Sequence, residues 1–515
     1  MFSSHFFADA GDGLQNVWNM WWVNHALVEN RQFPLYTTYL HFPHGTPLIA
    51  HTLNLFNGLL GVILLRFLTP IETFNFIVIF SFVLGAFTAF LLAYRICGSY
   101  WASLIGGFIF SFSNYHFAHA EGHLNLVSLE WIPLFVFCWL FFVTRPSITY
   151  GLGSAFALFC VILCDYYYFS YCILAAILIT CWKIAQKKDL FLLFRRAYIF
   201  PLSSFILTFL FTSAPLVFAL IILHIQDPLI GQHDPRVYSL DLFSAFIPGG
   251  HWRFASLTQN FWSRLPGNIH ENSVHMGLSV ISVIIYVFIK RKRINEPTLG
   301  LWFWGLLFFF FLSMGPVLHL WGKEISWFKL PYALLEIIFP PIKIGGVPIR
   351  MMVMVILFAS ILAAIGFKEL INSRRISHWV IIIIILFLFF EYLPRPIPTT
   401  QIAVPEYITF LKSLPMKGGV IDLVSPPCKS LYYQTLHHKP LAFGYLARIP
   451  TSVEKRNNRI IHLISAGEFN KLHMSYGFNY LITKGKILRS TPKGYLRLIF
   501  NDGTVQIYEL GVGLK

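Results

Sequence analysis

Charge is what this sequence has least of. Only 12% of its 515 residues are Asp, Glu, Lys or Arg, about half the ~25% of a soluble globular chain, which excludes a water-exposed fold for most of its length. Cysteine is scarce as well. Of seven, Cys97, Cys138, Cys160, Cys164, Cys172 and Cys181 lie in or beside apolar segments, and Cys428 stands alone towards the C-terminal end. Neither a disulfide framework nor a CxxC metal site is written in that spacing. The opening residues MFSSHFFADAGDG lack the basic start and apolar core of a secretory signal, so insertion into a membrane rests on the helices themselves. The absence of a GxxxxGK[ST] loop disfavours ATP-driven transport.

What fills the chain instead is apolar: 56% hydrophobic and 17% aromatic residues. Runs of about 17–25 mostly apolar residues, the length that crosses about 30 Å of hydrocarbon, begin near Phe74, Tyr100, Leu126, Ser147, Phe169, Tyr198, Ser273, Pro297, Met351 and His378. They predict about ten spanning helices. The net charge of +16 sits in short clusters between these runs, as in loops facing anionic lipid rather than on a nucleic-acid surface. Lys183/Lys187/Lys188/Arg195/Arg196, Lys290/Arg291/Lys292/Arg293 and Lys368/Arg374/Arg375 are placed in the cytoplasm by the positive-inside rule, and the three agree with one another. Counting outward puts 114–125, 225–272, 315–349 and everything after about 394 on the outer face. The segment His51–Leu68 contains Asn54, Asn57, Gly58, Gly61 and Arg66, which weaken it as a lipid-facing span, and residues 1–30 hold no Lys or Arg. We read it as a helix lying along the outer interface.

The expected architecture is therefore mainly α: residues 1–72 as an outer loop with interfacial helices, 73–394 as a transmembrane helical bundle, and 395–515 as a small extracytoplasmic α/β domain. In that last part GVIDLV and FNYLIT read as buried strands, a helix is plausible around 460–476, and YLRLIF–NDGT–VQIYEL reads as a hairpin turning at Asp502-Gly503.

Four stretches could carry chemistry. Asp9 and Asp12, three residues apart before an aromatic amphipathic stretch, could hold a general base at the membrane surface, although their spacing alone favours a solvated turn and a helix N-terminus. His116, His119 and His123 fall at i, i+3 and i+7, with Glu121 and Asn125 beside them. On a helix they share a face that could bind phosphate or sugar, move protons or, with a fourth ligand, hold a metal; the alternative is a plain interfacial loop. The long segment from Asp227 to His275 carries His233, Asp234, Arg236, Asp241 and Glu271, a density suited to sugar and phosphate contacts in a loop too long to be a passive connector. Lys343 and Arg350 end the last outer loop, where they could neutralise a lipid phosphate or simply snorkel to headgroups.

The order GDGLQNVWNMWWVNHAL, LHFPHGTPL, HTLNLFNGLLG and FAHAEGHLNLVSLEWIPLF, followed by ENSVHMGLSV, LSMGPVLHLWG, LPYALLEIIFPPIK, VPIRMM and LYYQTLHHKPLAFGYLARIP, resembles bacterial membrane proteins of the GT-C glycosyltransferase superfamily over nearly the whole chain. The resemblance implies a polyprenyl-phosphate-sugar donor, an envelope glycan, lipid or protein acceptor on the outer side of the cytoplasmic membrane, and a catalytic carboxylate in the first outer loop. That role falls on Asp12, with Asp9 second. Arg350, Lys343, Glu271 or the cluster of His116, His119, His123, Glu121 and Asn125 would hold the donor's phosphate or sugar. It implies no certain cofactor and leaves room for a divalent metal, Mg²⁺ or Mn²⁺. Family members carry a spanning helix before the catalytic Asp, whereas none precedes Asp12; a late start or a lost helix would account for that. The rival expectation is a non-catalytic carrier or scaffold on the same fold.

Overall fold

The computed structural model describes residues 2, 5–9, 11–340, 342–485 and 496–511. Ten apolar helices occupy the ten apolar runs. Among the described residues four helices, Pro70–Cys97, Tyr166–Lys187, Arg196–Gln226 and Pro348–Asn372, are long and apolar enough to cross a membrane. The other six, Tyr100–Ser111, Trp131–Thr144, Ile148–Cys164, Leu278–Lys290, Leu299–Ser313 and His378–Tyr392, run from 12 to 17 residues. Together with the comparisons below they make this a mainly α, membrane-type helical bundle with a small C-terminal sheet region.

The chain divides into two compact units. One comprises Phe76–Pro215 and Gln232–Ile397. Its axis is the helix beginning at Pro348, whose most apolar window is wholly buried, so this helix is apolar on every side. Neighbouring helices come close because small residues face them. A Cβ on Gly106 would stand 3.1 Å from the Ser360 carbonyl oxygen, and one on Gly366 would stand 2.4 Å from Val283. Such contacts are how helices associate where burial of apolar surface alone gives no driving force. Between helices 100–111 and 131–144 the chain folds into two short helices, Asn114–Ala120 and Leu124–Val127. The segment from Gln232 to Gly277 contains only short helical turns, at Leu242–Ala245, Ala255–Thr258 and Gln259–Trp262.

The other unit comprises Met1–Asn75, Leu216–Gly231 and Pro398–Lys515. Its helix Asp12–Asn24 packs against Leu55–Leu64, where Gly58 meets Val23 and Gly61 meets Met20. The same helix packs against Pro427–His437, and the Trp18 indole N–H donates to Gln434 Oε1 at 2.7 Å. A four-stranded sheet has the order Gly419–Asp422, Phe478–Lys484, Val505–Leu510, Leu496–Asn501. The first pair is parallel and the others antiparallel. The expected buried strands and hairpin are here, with Tyr495 outside the described residues. The turn works because Gly503 adopts φ +90°, open to glycine, while Asp502 Oδ1 accepts the N–H groups of Thr504 and Val505 at 2.9 and 2.7 Å. The expected helix is two, Thr451–Ser465 and Phe469–Met474, whose Ile460, Leu463, Phe469 and Leu472 bury against Ile421, Phe478 and Leu481.

Candidate functional site

In the helical unit the polar residues of 113–130 turn inward rather than to solvent. Ser113 caps the short helix by accepting the His116 N–H. The His116 ring lies flat on Phe82, with centroids 3.8 Å apart, and its nitrogens stand 2.7 and 2.8 Å from the carbonyl oxygens of Ser111 and Val127. His116 thus ties the loop's two ends together. Asn125 donates to Asp165 Oδ2 at 2.7 Å, while Asp165 Oδ1 caps the next helix at the N–H groups of Tyr167 and Tyr168.

Past His116 the same loop meets two buried carboxylates. Glu271 is 2% exposed and Arg350 9%. Arg350 Nε donates to Glu271 Oε1 and Oε2 at 3.0 and 3.2 Å, Nη2 also bonds Oε1, and the guanidinium lies 4.7 Å over the Tyr167 ring. His119 Nε2 is 3.8 Å from Glu271 Oε2 and has no hydrogen-bond partner among the described residues. Its Nδ1 is 3.3 Å from that of His123. Burial would push the Glu271 carboxyl up, but Arg350 outweighs it and holds it below the usual value. Burial first, then His123, Arg350, His270 and His251 nearby, press His119 well below the ordinary imidazole value.

The second carboxylate is Glu121, 4% exposed. Arg395 grips it with Nε at 2.8 Å from Oε1 and with Nη2 on Oε2. His251 Nε2 lies 3.2 Å from Oε2, and its Nδ1 2.8 Å from Ser273 Oγ. Burial raises the Glu121 carboxyl, yet the bonds from His251 and Arg395 bring it down to about 2. His270 joins the two groups: its ring packs 5.5 Å from His123 and 4.9 Å from His251, and its Nδ1–H donates to the Ala118 carbonyl at 3.1 Å. The result is two Arg–Glu pairs linked by four imidazoles. Replacing such pairs with apolar side chains is often neutral or stabilising, so their presence, in a region that avoids charge, points to function.

Glu121, His251 and His270 each bring a potential ligand atom within 4.8 Å of the others. The set fits Mg²⁺ or Mn²⁺ poorly: those ions prefer oxygen donors, and the one carboxylate is already held by Arg395. Elsewhere, Lys343 is exposed on the short helix Ile342–Gly345. His275 Nε2 is 3.1 Å from the Glu391 carbonyl oxygen. Asp241 caps a turn at the Phe243 N–H, and Arg236 pairs with Glu324. In the other unit, Asp12 opens the helix Asp12–Asn24 with Cys428 Sγ 4.0 Å from its Oδ1, Asp9 accepts the Gly11 N–H at 2.9 Å, and Asp227 accepts from Ser452.

Sequence reasoning missed His251, His270 and Arg395. The two histidines sit in GGHWRF and NIHENS without helical spacing, and Arg395 lies in a proline-rich tract that reads as a linker. The usable signal was the imbalance of buried charge, since a Glu in an apolar loop needs a cation.

Residues 26–389 match the family described as "Domain of unknown function (DUF6311)", while no curated protein matches the sequence. Among solved structures, the arabinofuranosyltransferase AftD from Mycobacteria is similar with a TM-score of 0.57 and 11% identity, over 98% of this chain and 41% of that one. ArnT from Cupriavidus metallidurans, bound to undecaprenyl phosphate, gives 0.49 and 11% over 98% and 94%. The Archaeoglobus fulgidus oligosaccharyltransferase AglB, with an inhibitory peptide and a dolichol-phosphate, gives 0.42 and 11% over 91% and 65%. The chain thus spans less than two thirds of AglB and less than half of AftD. At these identities the likeness concerns the fold, which is of the GT-C type.

Proposed function

We propose that this chain, which belongs to the family described as "Domain of unknown function (DUF6311)", is a membrane glycosyltransferase that moves a sugar from a polyprenyl-phosphate donor to an envelope acceptor. The observation that carries this reading is the buried Arg350–Glu271 pair with His119 beside it. His119 Nε2 has no hydrogen-bond partner among the described residues, so it can donate to a phosphate oxygen beside the Arg350 guanidinium. Such fixed donors stabilise charge that develops on a leaving phosphate, without reorganisation. The name of one fold relative, an arabinofuranosyltransferase, accords with sugar transfer.

In the reaction, the acceptor oxygen bonds to the anomeric carbon, the bond from that carbon to phosphate breaks, and polyprenyl phosphate leaves with the electron pair. Asp12, with Asp9 as the neighbour to be compared, takes the acceptor's proton. We place the reaction at the outer face of a bacterial cytoplasmic membrane, with residues 395–515 outside, because the three basic clusters count the crossings that way.

The protein in lipid nanodiscs, offered labelled polyprenyl-phosphate sugars, tests this. Asp12→Asn should lower turnover by about 10²-fold or more, the scale of general-base catalysis, with donor binding kept. Donor binding without transfer to any acceptor, unchanged in Asp12→Asn, would overturn the transferase in favour of a glycolipid carrier.

A further inference from the structure

The N-terminal helix ends in a five-residue π-helical turn, His25–Glu29, a local form that recurs at functional sites. His25 Nδ1 stands 2.7 Å from Glu29 Oε2, four residues on. The ring of His438 lies edge-on to that of His25, with centroids 5.9 Å apart. One ligand atom from each of the three lies within 4.8 Å of those of the other two.

The condition of His25 is what distinguishes this cluster. It is 5% exposed, yet neither ring nitrogen makes a well-aligned hydrogen bond among the described residues. Nδ1 at least faces the Glu29 carboxylate, whereas a buried ring nitrogen left unbonded, as Nε2 is among the described residues, normally costs free energy. The ring is also held in place, stacked on Trp21 at 4.7 Å and edge-on to Tyr39 at 4.9 Å. His438 sits just past the helix Pro427–His437 in the left-handed conformation, φ +59°. Glu29 is about half exposed, its side chain 48% accessible, which opens a path from solvent. The contrast with Glu121, His251 and His270 is plain, since there Arg395, Ser273 and the Ala118 carbonyl already engage the would-be ligands.

We propose that His25, Glu29 and His438 bind a divalent ion of the zinc type, with water in the fourth position. Two imidazoles and a carboxylate suit Zn²⁺ and its late first-row neighbours, whereas Mg²⁺ and Ca²⁺ prefer all-oxygen sets. The ion fastens the helix that opens the chain to the turn after Pro427–His437, within one compact unit, and its role is structural. This site is independent of the sugar-transfer reading.

The test uses the untagged full-length protein in mild detergent, stripped with EDTA and titrated with ZnSO₄, with bound metal counted by mass spectrometry and unfolding followed by heat. One zinc per chain should bind, and the unfolding temperature should rise with zinc concentration. Glu29→Gln changes an exposed side chain, and His438→Asn puts in a residue that tolerates positive φ, so both variants fold. Each should weaken binding by more than the 10–100-fold that loss of a mere supporting contact costs, while His270→Ala leaves it unchanged. Absence of stoichiometric zinc, zinc that binds the two variants as tightly as the parent, or zinc lost in His270→Ala would each overturn the proposal.

Discussion

Arg350 and Glu271 carry opposite charges into a place where water is scarce, and each is tolerable only through the other. That dependence decides how to test them. Removing Arg350 alone would strand a buried carboxylate, at about 3–5 kcal/mol, and the variant would report instability rather than binding. Glu271→Gln with Arg350→Gln removes both charges and leaves an uncharged polar side chain at each position. The doubly substituted protein should fold and lose about 10- to 150-fold in affinity for a polyprenyl phosphate, the equivalent of one charged hydrogen bond worth about 1.5–3 kcal/mol. Isothermal titration with polyprenyl phosphate checks this; unchanged affinity would remove the pair from the donor site. At this scale the sequence was half legible. Histidines and a glutamate set in an apolar loop announce themselves, but which of them meet does not. His116 and His119 share one short helix, yet the first is spent on carbonyls of its own loop and the second faces Glu271. Spacing cannot separate them, because Phe82, which seats the His116 ring, is 34 residues away in sequence by the numbering of the two.

Elements in the unit that holds residues 1–75 and 398–515 are fastened by histidines. His51 donates from Nε2 to Asn19 Oδ1 at 3.1 Å and accepts the Ala447 N–H on Nδ1 at 3.2 Å. His437 Nδ1 accepts the Lys439 N–H at 3.0 Å, and His41 Nδ1 is 3.1 Å from Asn457 Oδ1. An accepting nitrogen cannot carry a proton, so charging His51 or His437 breaks its bond. Burial, the largest cause in each, lowers His51 and His437 to about 3 and His41 to about 4. Unfolded, these rings take protons below about 6.5; folded, His41 does not until about 4, and His51 and His437 not until about 3. The stability they support is therefore full above pH 6.5 and falls as pH drops towards 4, by up to about 1.4 kcal/mol per pH unit for each histidine. Denaturant unfolding between pH 7 and 5 should show this slope, and His437→Gln should reduce it by one proton. A slope unchanged in that variant would show that His437 is not among the groups responsible. The elements themselves were largely readable, since apolar length and alternation set helix and strand locally. The turn Asp502-Gly503 was readable for the same reason.

For the whole molecule, what periodicity cannot express is that the first 75 residues and the stretch from Pro398 share one unit. Pairs such as Trp18 with Gln434 are 416 residues apart, and nothing local at either end names its partner. A chain cut after residue 397 should leave the Asp12–Asn24 helix without its cover, exposing Trp18 and Trp22, which are fully buried in the intact protein. Size-exclusion profiles should show aggregation of the shortened chain, and monodisperse recovery on co-expression with 398–515. A shortened chain that is monodisperse alone would refute this interdependence. The same closure has a consequence in time. At about 5–20 residues per second of synthesis, the tryptophan-rich helix emerges about 20–80 s before Gln434 exists. During that interval its aromatic face needs a temporary host, a lipid surface or an insertion chaperone.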